Sequence, residues 1–127
     1  MKKKFSSCLF IVLLLFLVYF FVPGFFRNTS AFIENYSVSP DGNKITLDVG
    51  VSSSIGYIRD VYCKQMGNKL YLDFYSAFGG INGCFGAKRT FTIELNDNID
   101  TISIYTNNDY RDVLIKNNND SWQRNLK

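Results

Sequence analysis

No histidine occurs anywhere in the 127 residues of this sequence. The commonest general base, the Ser-His-Asp arrangement and histidine-ligated zinc are therefore excluded. Cysteine is scarce, at three. Cys8 stands at the start of an apolar leader, not after it, so it is not placed as a lipid-attachment cysteine. Cys63 and Cys84 alone cannot build a four-cysteine metal site. The single tryptophan, Trp122, follows both of them, so the Cys…Trp…Cys order of antibody domains is missing. Nucleotide motifs are missing too. A phosphate loop around Lys88 would need glycine at positions held by Asn82 and Ala87, and a strand pattern follows where a helix is required. The acidic clusters Asp97–Asp100 and Asn117–Asp120 lack the spacing of a calcium loop and read as turns.

What is present begins with "CLFIVLLLFLVYFFVPGFF", nineteen positions from Cys8 to Phe26 without a charge. As a helix this run is about 28 Å long at about 1.5 Å per residue, close to a hydrocarbon core of about 30 Å. Lys2, Lys3 and Lys4 precede it and only Arg27 follows closely, which sets the N-terminus in the cytoplasm and the remainder outside. A cleaved signal peptide is the competing reading, with Thr29-Ser30-Ala31 as a poor cleavage site and Phe32 as the new start. The length of the run and its phenylalanines favour an uncleaved signal-anchor. Without Lys2, Lys3, Lys4 and Arg27, ten basic and eleven acidic side chains remain, a balance of −1. Such a domain has no electrostatic footprint for nucleic acid.

Beyond the leader, apolar residues alternate with period two. Ile45, Leu47, Val49 and Val51 share one face of "KITLDVGVS"; Leu70, Leu72 and Phe74 do so in "KLYLDFY", and Phe91, Ile93 and Leu95 in "TFTIEL". Weaker strands are expected at Ile33–Val38, Tyr57–Gln65, Thr101–Thr106 and Tyr110–Lys116. Ser39-Pro40-Asp41-Gly42, Met66-Gly67-Asn68, Asn96-Asp97-Asn98 and Asn107-Asn108-Asp109 supply the turns. Short strands at this spacing predict an all-β domain, an immunoglobulin- or fibronectin-like sandwich of about seven strands, with a small β-barrel as the alternative. The organisation expected is residues 1–26 as Lys-rich start and transmembrane helix, 27–32 as a short spacer, 33–116 as the β-domain and 117–127 as a polar, frayed tail.

The stretch "FYSAFGGINGCFGAKRTF" contains four of the nine glycines. The loop it predicts, Ser76 to Arg89, is longer than most connections in a compact domain. One reading folds Phe78, Ile81 and Phe85 back as a plug over the open end of the sandwich, with Gly79, Gly80, Gly83 and Gly86 relaxing the backbone. The other makes Phe78, Gly79, Gly80, Ile81 and Phe85 a partner-binding surface with Lys88 and Arg89 at its rim. A disulfide between Cys63 and Cys84 would pin this loop to a strand and contribute on the order of 3 kcal/mol; two reduced thiols are the alternative. Asp60, Asp73 and Glu94 are the carboxylates open to acid/base use, although Asp60 and Asp73 fall at polar strand positions, where a solvated face is the ordinary explanation. No cofactor is implied.

The run "YIRDVYCKQMGNKLYLDFYSAFGGINGCFGAKRTFTIELNDNIDTISIY", with the later "YRDVLIK", resembles small membrane-anchored proteins of Gram-positive gut bacteria. The resemblance spans Tyr57 to Lys116 and is most specific in "FYSAFGGINGCFGAK". It implies a bacterial single-span protein with an extracytoplasmic β-domain and transfers no functional residue. The function expected is a non-catalytic interaction module held at the cell surface by residues 8–26, with an envelope or membrane protein as partner. A carboxylate-dependent cell-wall hydrolase and a secreted β-domain are the alternatives.

Overall fold

The structure, a computed structural model, describes residues 1–53 and 56–127. A helix α1, Lys2–Phe21, carries the leader, and a short 3₁₀ turn, Val22–Phe25, ends it. Apolar side chains surround α1 on every side and none is buried against the protein. A membrane span and a signal sequence share this all-round apolar pattern. From Lys2 to Phe25 it is long and apolar enough to cross a membrane. Pro23 enters at the start of the 3₁₀ turn, where a missing N–H costs little.

Among the described residues eight strands follow: β1 (Ala31–Val38), β2 (Lys44–Val51), β3 (Ile58–Met66), β4 (Lys69–Ser76), β5 (Thr90–Glu94), β6 (Thr101–Thr106), β7 (Asp109–Lys116) and β8 (Trp122–Arg124). They form two sheets, ordered β1-β2-β5 and β3-β4-β6-β7-β8. Strands make up 46% of the chain, so the mostly β expectation holds. The count is eight, not about seven, and among the described residues the sheets do not close into a barrel. All pairs are antiparallel except β4 with β6, which run parallel because β5 crosses to the other sheet between them.

The alternation read in the sequence builds the core. Ile45, Leu47 and Val49 of β2, Leu70, Leu72 and Phe74 of β4, and Ile102 and Ile104 of β6 belong to one buried cluster. Phe74 meets Phe91 across the layers with ring centroids 5.7 Å apart. Extra residues interrupt the registers between Ile33 and Asn35 in β1 and between Ile58 and Asp60 in β3. Such bulges re-aim the side chains beyond them; in β3 they leave Arg59 on the loop side.

Two expected boundaries move. The tail is not frayed: Trp122 packs on the core and its carbonyl accepts the Tyr36 hydroxyl at 2.8 Å. Arg124 donates to the carbonyls of Ile33 and Glu34, so β8 bridges the two sheets through side chains. A run of asparagines hid this strand, which is only three residues long. The spacer is not loose either: the Asn28 N–H donates to the Phe74 carbonyl at the end of β4.

On the outer face of the larger sheet, Ser103 is fully buried and donates to Asp112, whose other oxygen accepts Lys69 Nζ at 2.8 Å. The Lys69 and Ser103 hydrogen bonds hold the Asp112 carboxyl below the ordinary range. A depressed carboxyl stabilises the fold above its unfolded pKa of about 3.9 and loses that contribution as pH falls through the folded value. Acid titration of the detergent-solubilised chain, followed by circular dichroism, should therefore show a stability decline below about pH 4. Asp112→Asn should flatten part of that decline while lowering stability at neutral pH.

Candidate functional site

The last carbonyls of a helix lack intrahelical partners, and at the end of α1 the glycine-rich loop supplies one. The Gly79 N–H donates to the Phe20 carbonyl at 2.9 Å, and the Ile81 N–H to the Tyr19 hydroxyl at 3.3 Å. Rings reinforce the seat. Phe20 meets Phe85 at 5.3 Å, and Phe78 meets Phe21 at 5.7 Å and Phe25 at 6.2 Å. Inside the loop, Phe78 and Phe85 exchange two backbone hydrogen bonds, each 3.0 Å, so the segment closes on itself before it touches the helix.

Glycine is required where the surfaces approach. A Cβ on Gly80 would collide with the Tyr19 ring, and the residue sits at φ +85. On the facing side, a Cβ on Gly24 would collide with the Phe78 ring. Arg59, the bulge residue of β3, locks this contact. Its guanidinium donates to the Gly24 carbonyl at 2.9 Å and lies 4.4 Å above the Phe78 ring, a cation–π distance.

Residues 27–30, expected as a spacer, are stapled on three sides. Arg27 bridges to Tyr75, Asn28 N–H donates to the Phe74 carbonyl at 2.7 Å, and Ser76 N–H donates to the Phe26 carbonyl at 3.2 Å. The Thr29 carbonyl accepts Asn107 N–H at 2.9 Å and the Thr106 hydroxyl at 3.0 Å. Ser30 accepts from Ser52 N–H at 2.9 Å, joining the entry to the smaller sheet. Arg27 stands 3.5 Å from Asp73 and 3.9 Å above Tyr105. Tyr110 donates to Asp73 at 2.8 Å; burial and that carboxylate push the phenol above its ordinary value, so it stays a donor. Backbone amides that would be idle in a linker are thus absorbed by strand ends.

The sequence-predicted loop residues divide. Phe78 is half-buried under the helix exit, and Gly79 and Gly80 form the contact. Ile81 and Phe85 stay 75% and 66% exposed, so the loop does not plug the sandwich with them. The Lys88 N–H donates to the Ile58 carbonyl at 2.7 Å, the Arg89 carbonyl accepts Val49 N–H at 2.7 Å, and Arg89 pairs with Glu34 at 2.9 Å. Lys88 and Arg89 therefore tie the loop to both sheets. Beside them opens a groove of about 570 Å³, lined by Val49, Ile58, Cys84 and Arg89 among others.

Cys63 and Cys84 are free and exposed, not bridged. Cys84 sits near the Ile58 end of β3, whereas Cys63 is five residues further along the strand. That is about 16 Å at about 3.3 Å per residue, beyond the reach of a disulfide. The carboxylates do not converge as a group. Asp60 and Asp73 are diagonal neighbours on the outer face of the larger sheet, Asp73 is engaged by Arg27 and Tyr110, and Glu94 belongs to the other sheet. Among the described residues no group of His, Cys, Asp or Glu could hold a metal ion.

Sequence reasoning found the loop but not its counterpart. Gly24 and Arg59 carry no motif, although a Pro-Gly pair at the end of an apolar run marks where a partner backbone can approach. No protein-family model, curated protein or solved structure matches the chain.

Replacing Gly80 with valine should unseat the helix exit, because the new side chain meets Tyr19 as well as an unfavourable φ. Gly42 shares a positive φ of +74, but a Cβ added there would have nothing within 4 Å, so Gly42→Val isolates backbone strain. Limited proteolysis of the full chain in detergent should cleave the Gly80→Val variant between Phe25 and Ser30 about tenfold faster than Gly42→Val, matching a local loss of about 1.4 kcal/mol. Equal rates in the two variants would show that the seat adds nothing beyond backbone strain.

Proposed function

We propose that the chain is a bacterial, membrane-anchored interaction module, with α1 crossing the cytoplasmic membrane, the lysines inside and the β-domain displayed outside. The observation that carries this reading is the absence of slack between anchor and domain: from Phe20 to Ala31 the chain is tied by the loop, by β4 and by the β6–β7 turn. A rigid junction holds one end of the domain against the membrane and points the rest away. Confinement to a surface raises the effective concentration of a neighbouring membrane or envelope protein without any gain in intrinsic affinity. The resemblance of Tyr57–Lys116 to anchored proteins of Gram-positive gut bacteria supports the same setting.

Signal cleavage near Ala31 is disfavoured on physical grounds. It would remove Ala31, which is 1% exposed and pairs with Val51, together with the Arg27–Ser30 staples. The hydrolase reading is weakened by Glu94 standing on the opposite sheet from Asp60 and Asp73. As for the fold, the three-stranded order β1-β2-β5 supports kinship with immunoglobulin-like sandwiches, while the parallel β4–β6 pair departs from their antiparallel sheets.

The test is alkaline extraction of native membranes, mass spectrometry of the mature N-terminus and protease treatment of intact protoplasts. The expected outcome is an uncleaved chain that resists extraction and loses its β-domain to external protease. A soluble form beginning at Phe32, or a domain protected from external protease, would overturn the proposal.

A further inference from the structure

The loop that seats the helix leaves its own apolar side chains uncovered. Ile81 and Phe85 are exposed at its tip, and Phe25 and Phe26 are 71% and 63% exposed at the helix exit beside it. We infer that this end of the β-domain is a lipid-seated foot, with Ile81 and Phe85 inserted at the headgroup–acyl boundary of the same bilayer that α1 spans. The inference rests on the membrane-anchored reading and adds a second point of contact to it.

Depth carries the argument. Phe5 is the first residue after the lysines, and Phe20 lies about 22 Å further along the helix axis at about 1.5 Å per residue. A hydrocarbon core about 30 Å thick therefore extends about 8 Å beyond Phe20. Gly79 is hydrogen-bonded to Phe20, and Gly80 packs on Tyr19 one residue deeper. The loop is thereby fixed at a level where acyl chains, not water, are the neighbouring solvent.

The loop's composition and several of its amides suit that level. From Ser76 to Ala87 it carries no charge. Irregular backbone at membrane depth is tolerated only when its polar groups find protein partners. Here Gly79 donates to Phe20, Ile81 to Tyr19, Gly83 to the Gly80 carbonyl at 3.0 Å, and Phe78 and Phe85 to each other. Charge returns at Lys88 and Arg89, immediately after the apolar stretch, and at Arg27 after the helix. At such a border the Lys88 ammonium faces the phosphates of the headgroup layer, while Arg27 and Arg89 are held by Asp73 and Glu34. Amphipathic segments of this kind bury their apolar face about 5–10 Å into the boundary, a depth that agrees with the helix count.

The three native cysteines are placed to test this in the full chain: Cys8 in the span, Cys84 in the foot and Cys63 up the β3 strand. Each is kept in turn, with the other two changed to serine, and labelled with an environment-sensitive fluorophore. Proteoliposomes of phosphatidylcholine and phosphatidylglycerol then carry lipids spin-labelled in the acyl chain. Quenching at Cys84 should exceed that at Cys63 by about twofold or more, and Ile81→Asp should erase the excess while Cys8 stays quenched. A probe at Asn82→Cys should repeat the Cys84 result and guards against disturbance by the label. Equal quenching at Cys84 and Cys63, with Cys8 quenched, overturns the foot and leaves the anchor standing. A Cys84 probe that is blue-shifted yet unquenched means that a second copy or another protein covers the foot, which also overturns it. An unquenched Cys8 overturns the anchor itself.

Discussion

The end of α1 and the Ser76–Arg89 loop depend on each other through backbone groups that neither could satisfy alone. The Phe20 carbonyl is past the reach of its own helix, and the Gly79 amide is past the reach of a strand; they meet at 2.9 Å. Around that bond the rings of Phe20, Phe21, Phe78 and Phe85 pack in pairs, and Tyr19 lies against Gly80. Two glycines permit the approach, one on each side. The helix and the β-domain are thus joined through paired backbone groups and packed rings rather than through a loose linker.

From this junction the order propagates outward. Arg27 to Ser30 could not be stapled to β4, the β6–β7 turn and β2 unless the helix exit arrived at the correct place. The Arg27 side chain is partly exposed, at 3.5 Å from a mostly buried Asp73, and stacking on Tyr105 and the hydrogen bonds of Asn28 and Thr29 act beside that pair. At the other edge, Arg124 and Trp122 join β8 to β1, so both sheets are tied at opposite corners. A small two-sheet domain gains stability from such ties because its core is limited in size.

Much of this was legible in the sequence. Period-two alternation in Lys44–Ser52, Lys69–Tyr75 and Thr90–Leu95 located the central core strands, and the uninterrupted apolar run located α1. The loop drew attention through its four glycines and its three large apolar side chains. What those glycines approach was not legible, because Tyr19 and Gly24 lie far from the loop in sequence and carry no local signal. Nor was the parallel β4–β6 pair, since alternation records which face is buried but not which strand lies alongside. The tail misled for a related reason: asparagine-rich flanks describe turns, and a three-residue strand is too short to show periodicity.

Amide hydrogen exchange on the full chain in lipid nanodiscs tests the central claim most directly, read at Gly79. A hydrogen-bonded Gly79 amide should exchange as slowly as the amides of β4, at least about a hundredfold slower than an open loop, equivalent to about 2.7 kcal/mol of protection. Exchange at the rate of an open loop, with β4 still protected, would show that the helix ends free of the domain and would contradict the account.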